Sequence, residues 1–224
     1  MDVGRYGDWA TRTYTNAKVR ENYSRRFSIR FPNEELPAAR PLQTTPLYDT
    51  MIAQGAVMGD SWGMETPLWF APEGTEAKDI VSFRRSNDFA PIKAECKAVR
   101  EAVGVTEIAN FAKYRFSGAG AEAFLSRLMT NKMPKTGRII LTPMLNPGGK
   151  LIGDFTIGKL NNETFYMWGS SQAQRYHMRW FEKHLPSDGS VKIDRLDMGL
   201  VGLSIAGPKS RDVLQALTDE DVSN

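Results

Sequence analysis

The turn residues between 136 and 169 commit that stretch to three consecutive strands. Residues 138–145 are an apolar, β-branched run, Asn146-Pro147-Gly148-Gly149 is turn chemistry, and residues 150–157 resume the strand pattern. Asn161-Asn162 then turns the chain into 164–168, a third run rich in aromatic residues. The local expectation is an antiparallel meander.

A single carboxylate stands in the middle strand. Alternation across a strand puts Leu151, Gly153, Phe155 and Ile157 on one face, and Ile152, Asp154 and Thr156 on the other. Asp is depleted in strands because its side chain competes for the backbone and its charge resists burial. Two readings stay open at this level. Asp154 is an outward charge that discourages edge pairing, or it lines a cleft and pairs with a cationic or amine-bearing ligand.

With 41% of its 224 residues hydrophobic and 25% charged, the chain has a soluble globular composition and length for one large domain or one and a half ordinary ones. The net charge of +3 is local, since residues 1–30 hold seven Lys/Arg against three acids. Nucleic acid usually wants a basic face on the folded body, so the charge gives little support for such a partner. Cys96 is the lone cysteine, which excludes an internal disulfide; with only His177 and His184 beside it, no Cys/His metal cluster can be assembled. Cys96 falls in a helical pattern, where a buried small hydrophobe is expected. No apolar run reaches the length of a membrane span, and Met-Asp-Val-Gly-Arg is no signal peptide.

Along the chain, residues 5–27 carry spaced aromatic and basic positions that suggest one or two short helices. Pro32, Pro37, Pro41 and Pro46 mark an extended connector, with a domain boundary expected near Gln43. Residues 48–58 suggest a short helix, followed by a Gly/Pro loop holding Trp62, Trp69 and Phe70, which reads as a hydrophobic lid or a pocket wall. A helix over 91–103 stops before Gly104, and 105–109 with 111–117 reads as a strand pair. A helix over 172–184 ends in His184, well placed for the helix dipole, while strands are expected near 191–196 and 201–205.

Gly118-Ala-Gly120-Ala-Glu-Ala123 follows a strand and opens a helix, the look of a dinucleotide fingerprint. The acid expected about 20 positions on is missing, because Asp154 is the next after Glu122, and a hairpin follows in place of a parallel strand. The run from Phe116 to Leu128 also echoes that from Ile205 to Leu217, with Gly118 over Gly207, Leu125 over Leu214 and Leu128 over Leu217. A strand-Gly-helix unit used twice makes these glycines architectural. Helices interleaved with mostly antiparallel sheets make the fold class α+β, internally duplicated.

From Thr44 to Asn224 an ordered set of motifs resembles the folate-binding aminomethyltransferases, the glycine cleavage T-protein family. They include Thr45-Pro46-Leu47-Tyr48-Asp49, Trp62-Gly63-Met64-Glu65, Met144-Leu145-Asn146-x-x-Gly149, Ile152-Gly153-Asp154-Phe155-Thr156 and Ala206-Gly207-Pro208-Lys209. Ahead of them, Arg5-Tyr6-Gly7-Asp8, Phe31-Pro32-Asn33-Glu34-Glu35 and Arg40-Pro41-Leu42 resemble the piece joining the flavin and folate parts of the dimethylglycine and sarcosine dehydrogenase family.

The resemblance implies an internal fragment: residues 1–43 as the tail of an upstream FAD domain, and 44–224 as the first part of a folate domain that continues beyond. It implies oxidation of a small amine at the flavin and capture of the one-carbon product by tetrahydrofolate, with FAD held by the upstream domain of the same chain. Asp154 matches the family's essential carboxylate, a partly desolvated group beside the folate amine. Phe111, Leu141 and Thr156 match positions of the folate pocket. Leu141 and Gly158 stand where stand-alone T-proteins typically carry tyrosine. The implied location is the bacterial cytoplasm, or the mitochondrial matrix in a eukaryote, with neither nucleic acid nor membrane as partner. The rival functions are a non-catalytic folate-binding or scaffold module, a stand-alone T-protein-like enzyme and a sulfonium demethylase-like enzyme.

Overall fold

The computed structural model describes Gly7 and residues 9–223, so Arg5, Tyr6 and Asp8 of the N-terminal motif lie outside the described residues. The elements are α1 (Arg12–Ser24), α2 (Tyr48–Ala53), β1 (Ala56–Ser61), β2 (Met64–Phe70), α3 (Phe89–Glu101), β3 (Gly104–Glu107), β4 (Ala112–Ser117) and α4 (Ala121–Leu128). There follow β5 (Ile139–Leu145), β6 (Leu151–Asn161), β7 (Thr164–Gly169), α5 (Gln174–His184), β8 (Lys192–Arg195), β9 (Leu203–Ala206) and α6 (Ser210–Gln215). All the named strand pairs are antiparallel, and the class is α+β. The chain divides into two compact units, one spanning Asn110–Leu200, the other joining Thr11–Ala109 to the stretch from Val201.

The first unit is a five-stranded sheet in the order β5-β6-β7-β4-β8. The 136–169 meander is its first three strands, and α4 and α5 cover one face. Alternation along β7 sends Phe165 and Met167 into the core while Thr164, Tyr166 and Trp168 point away. Phe116, Phe155, Phe165, Leu125 and Phe181 form the centre of that core. Phe181 from α5 meets Tyr114 and Phe116 edge-on, each at 5.3 Å between ring centroids. Such aromatic pairs add about 0.5–1.5 kcal/mol beyond their buried area.

Strict alternation fails at the start of β6. Met144 pairs with Gly153 but Leu145 pairs with Leu151, so Ile152 is an extra residue in a β-bulge. The bulge shifts the parity by one. Ile152 joins Phe155 and Ile157 in the core and Leu151 is exposed, the reverse of the expectation for these two residues. Asp154 and Thr156, past the bulge, keep the outer face.

In the second unit, residues 56–70 form a hairpin in place of the expected loop, and α2 ends at Ala53, before Met58. Trp62 and Gly63 make its turn with φ of 55° and 86°, both in the left-handed region that short hairpins require. Glu65 on β2 is buried and held by Arg40, whose Nε and Nη2 donate to its two oxygens at 2.8 and 2.6 Å. Ile92 of α3 packs against Val57, Trp69 and Ala71. Glu95 accepts from the Phe70 amide, so the inward face of α3 runs through Ile92 and Glu95. That stripe leaves Cys96 exposed, where the helical spacing had put it in the core. β3 pairs with β9, and β4 with β7 and β8, so residues 105–117 are not a local strand pair.

The helix α1 is capped by Thr11, which accepts from the Tyr14 amide. Tyr14 donates to Asp60, whose second partner is Lys18 at 3.0 Å. Burial and the Asp60 charge push the Tyr14 phenol up to about 12.

Candidate functional site

The outer face of the five-stranded sheet gathers the polar and aromatic side chains that the core excludes. Register sets them in rows. Leu141, Thr156, Trp168 and Lys113 lie side by side across β5, β6, β7 and β4. The adjacent row is Ile139, Gly158, Tyr166, Arg115 and Asp194. Asp154 stands one row beyond Thr156, opposite Pro143.

Of the residues singled out from sequence, Leu141 and Thr156 are thus direct cross-strand partners, and Asp154 is their neighbour on the same face. Phe111 precedes β4 at the same end of the sheet, where Ala112 pairs with Gly169. Asp154 is exposed, in contrast to the partly desolvated carboxylate expected, because alternation past the bulge turns Phe155 into the core and Asp154 onto the open outer face. Leu141 is 66% exposed and Phe111 is also exposed, an apolar presentation that folding of the sheet does not require.

Sequence reasoning missed Trp168 and Tyr166, although the alternation along β7 marks both as outward. Their rings stack at 6.2 Å and 25°. The indole lies where Gly158 offers no side chain, 3.6 Å from the position of a Cβ on that glycine. Lys113 is 1% exposed and its Nζ donates to the Phe111 carbonyl at 2.9 Å, tying its charge to the loop that presents Phe111. Arg115 is anchored through its Nη2 to Asp194 at 2.7 Å. The lysine and arginine partners, Lys192 first, hold the Asp194 carboxyl below its ordinary range.

Behind this face, on the core side, sits His177 of α5, expected from sequence only as a weak candidate base. It is buried against Phe155, ring centroids 4.7 Å apart. Gly153 and Gly169 on neighbouring strands make the space. A Cβ on Gly153 would stand 2.6 Å from the His177 Nε2, and one on Gly169 would stand 2.7 Å from the Phe155 ring. Burial pushes the imidazole down to about 4, against the opposing pull of the Ile152 carbonyl and the Asp154 charge. That carbonyl lies beside the ring at a geometry short of a full hydrogen bond, and neither ring nitrogen has a hydrogen-bond partner among the described residues. His177 is therefore a neutral buffer layer under the Asp154 strand, not a base on the exposed face. His184 places Nδ1 3.0 Å from the Trp180 carbonyl in the last turn of α5.

The face as a whole offers a flat apolar and aromatic surface, a hydroxyl and a carboxylate, a donor set suited to a planar ligand that carries a basic nitrogen. Among the described residues no group of three or more His, Cys, Asp or Glu could hold a metal. A separate open groove of about 610 Å³ between α5 and β8 sets Arg175, Arg179 and Arg195 against Glu182, Asp194 and Asp197. Its charges balance within the groove, as on an ordinary solvated surface. No helix of the described residues is long and apolar enough to cross a membrane.

Residues 47–224 match the family model of the GCVT N-terminal domain, and residues 1–45 match that of the FAD dependent oxidoreductase central domain. Human mitochondrial dimethylglycine dehydrogenase is 34% identical over 225 residues, covering 100% of this chain and 26% of its own length. The mitochondrial pyruvate dehydrogenase phosphatase regulatory subunit of Mus musculus is 29% identical, covering 97% of this chain and 26% of its own length. The chain thus spans about a quarter of the length of these relatives. The crystal structure of the glycine cleavage system aminomethyltransferase T from Bartonella henselae superposes with a TM-score of 0.64 at 20% identity, over 78% of this chain and 43% of that one. The chain belongs to the GCVT N-terminal domain family, the glycine cleavage T-protein family, with a segment of FAD dependent oxidoreductase central domain at its N-terminal end.

Proposed function

We propose that the outer face carrying Asp154 serves folate-dependent one-carbon capture within an amine-oxidising flavoenzyme of the dimethylglycine and sarcosine dehydrogenase kind. The observation that carries this reading is the row Leu141, Thr156, Trp168 next to Asp154 on one exposed sheet face. Bound tetrahydrofolate would supply the nitrogen chemistry that takes up the one-carbon unit as methylenetetrahydrofolate. The residues present suit it: Trp168 and Leu141 accept a flat ring, and the Thr156 hydroxyl can hydrogen-bond to its edge. Phe111 would close the apolar margin. The Asp154 carboxylate accepts a hydrogen bond from a ligand amine, can take its proton as the new bond to carbon forms, and opposes positive charge developing there.

FAD is assigned to an upstream domain of the same polypeptide. At Gly118 and Gly120 the strand-to-helix turn is closed by Ser190, whose carbonyl accepts from the Gly120 amide at 3.0 Å, so no space is left for a pyrophosphate. The mitochondrial names of the mammalian relatives support a mitochondrial location for a eukaryotic homologue, assigned here to the matrix, and the bacterial cytoplasm is the corresponding site for a bacterial one.

The name of the regulatory-subunit relative favours a second reading, a folate-binding or scaffold module without turnover. One experiment separates them. The whole natural protein is supplied with dimethylglycine or sarcosine and tetrahydrofolate, and both bound folate and methylenetetrahydrofolate are measured. Binding with product supports capture, and binding without product supports the module. Absence of saturable tetrahydrofolate binding would sink both capture and the folate-binding module and leave only a scaffold.

A further inference from the structure

His177 is a polar side chain in an apolar place, beneath the one irregular point of the strand that carries Asp154. The ring is 1% exposed, on the face of α5 that also sends Phe181 into the core. Both of its nitrogens are buried without a hydrogen-bond partner among the described residues. A purely apolar side chain would fill such a position without the desolvation penalty that an unpaired imidazole carries. The strands instead give up side chains to admit the ring. Gly153, next to Asp154, would place a Cβ 2.6 Å from Nε2, and Gly169, next to Trp168, would place one 3.7 Å from Nδ1. The imidazole therefore bears on the backbone beside two residues of the candidate site.

That backbone decides which way Asp154 points. Past the bulge Pro143 pairs with Asp154 and Thr142 with Phe155. If β6 ran without a bulge from the Leu145 and Leu151 pair, Asp154 would move opposite Thr142, which is 0% exposed on the core face. The carboxylate would then be lost to the ligand face. The extra residue of a bulge leaves the ladder locally, so its backbone groups need partners elsewhere. The carbonyl of that extra residue, Ile152, is the backbone acceptor beside the imidazole.

We propose that His177 is a positioning residue for Asp154: its imidazole N–H is directed to the Ile152 carbonyl and pins the bulge, which keeps the carboxylate on the outer face with Thr156. The ring touches no ligand and transfers no proton. Its role is to fix the register of β6 from the core side. This inference rests on the capture reading given above.

The test uses the whole natural protein carrying His177→Leu or His177→Gln. The first substitution fills volume and offers no donor, whereas the second brings a side-chain amide to the place of Nε2 and keeps an N–H there. Hydrogen-deuterium exchange without folate should be about tenfold faster at 151–157 in His177→Leu, within about threefold of the parent in His177→Gln, and unchanged at 112–117 in both. Turnover should follow the same order. In His177→Leu, kcat for methylenetetrahydrofolate formation should fall about tenfold while KM for tetrahydrofolate stays within about threefold and amine oxidation keeps the parent rate. His177→Gln should recover most of that kcat. Capture at the parent rate by His177→Leu overturns the positioning role, and so does a loss that His177→Gln shares in full, which would assign the effect to packing. A parent protein that forms no methylenetetrahydrofolate overturns the capture reading and this role with it, an outcome that the parent assay distinguishes from failure of the variants.

Discussion

Trp168 covers Gly158: the Cζ3 of the indole lies 3.6 Å from where a Cβ on that glycine would stand, and Cη2 lies at 3.9 Å. The pair occupies adjacent strands on the face that carries Asp154, so the indole takes the place of a side chain on β6. Replacing Gly158 by Ala makes an ordinary van der Waals contact and should leave tetrahydrofolate binding within about twofold. Trp168→Ala removes the aromatic surface and should weaken binding roughly 3- to 10-fold, on the scale of an aromatic contact. Isothermal titration of the two variants measures both, and an unchanged Kd for Trp168→Ala would place the ligand elsewhere.

His177 makes stability fall on the acid side. Its folded value of about 4 lies below the ordinary 6.5. Above pH 6.5 the ring is neutral in both states and contributes no pH dependence. Between 6.5 and 4 the unfolded chain takes up a proton that the folded chain refuses, at roughly 1.4 kcal/mol per pH unit. Relative to the parent, His177→Leu should therefore improve by roughly 2–3 kcal/mol between pH 7 and pH 4.5. Urea unfolding at the two pH values checks this, and a constant difference would show that the imidazole is not held neutral.

Gly118 and Gly137 both have positive φ, at 113° and 76°, but differ in their surroundings. A Cβ on Gly118 meets the Ser190 carbonyl, while one on Gly137 has nothing within 4 Å. Gly137→Ala should cost only the left-handed backbone strain, about 1–2 kcal/mol. Gly118→Ala must also displace the start of β8 and should cost about 3 kcal/mol or more. Equal losses in a denaturant titration would argue against the close approach.

Arg40 and Glu65 form a pair whose carboxylate is almost wholly buried. Arg40→Ala leaves that charge without its principal partner and should cost about 3–5 kcal/mol, whereas Arg40→Met combined with Glu65→Leu should recover most of the loss. Thermal unfolding of the single and double variants distinguishes a stranded charge from lost packing.

The meander was legible because Asn146–Gly149 and Asn161-Asn162 punctuate three apolar runs, and the outward position of Asp154 followed from alternation. Ile152 and Leu151 were misassigned because a β-bulge adds a residue with no local signature, and its register is fixed only by the partner strand. The pairing of β3 with β9 joins segments far apart in sequence, which no local pattern encodes. Cys96 came out exposed because α3 turns Ile92 and Glu95 inward, a rotation set by Phe70 and Trp69 on β2. The outward alternation of Tyr166 and Trp168 was present in β7, and their part in the site emerged only when register set Trp168 beside Thr156. The Gly118–Gly207 echo carried furthest, since both glycines have positive φ, 113° and 126°, and both lie against the backbone carbonyl of another segment, Ser190 or Ala102.

The central claim rests on Asp154, and the most direct measurement is a partition assay on the whole natural protein carrying Asp154→Ala. Amine oxidation, followed by electron-acceptor reduction, and methylenetetrahydrofolate formation are measured in the same reaction. The expected result is oxidation retained and folate-dependent capture lost, with the one-carbon unit released as free formaldehyde. Methylenetetrahydrofolate formed at the parent rate by the variant would contradict the role assigned to this carboxylate.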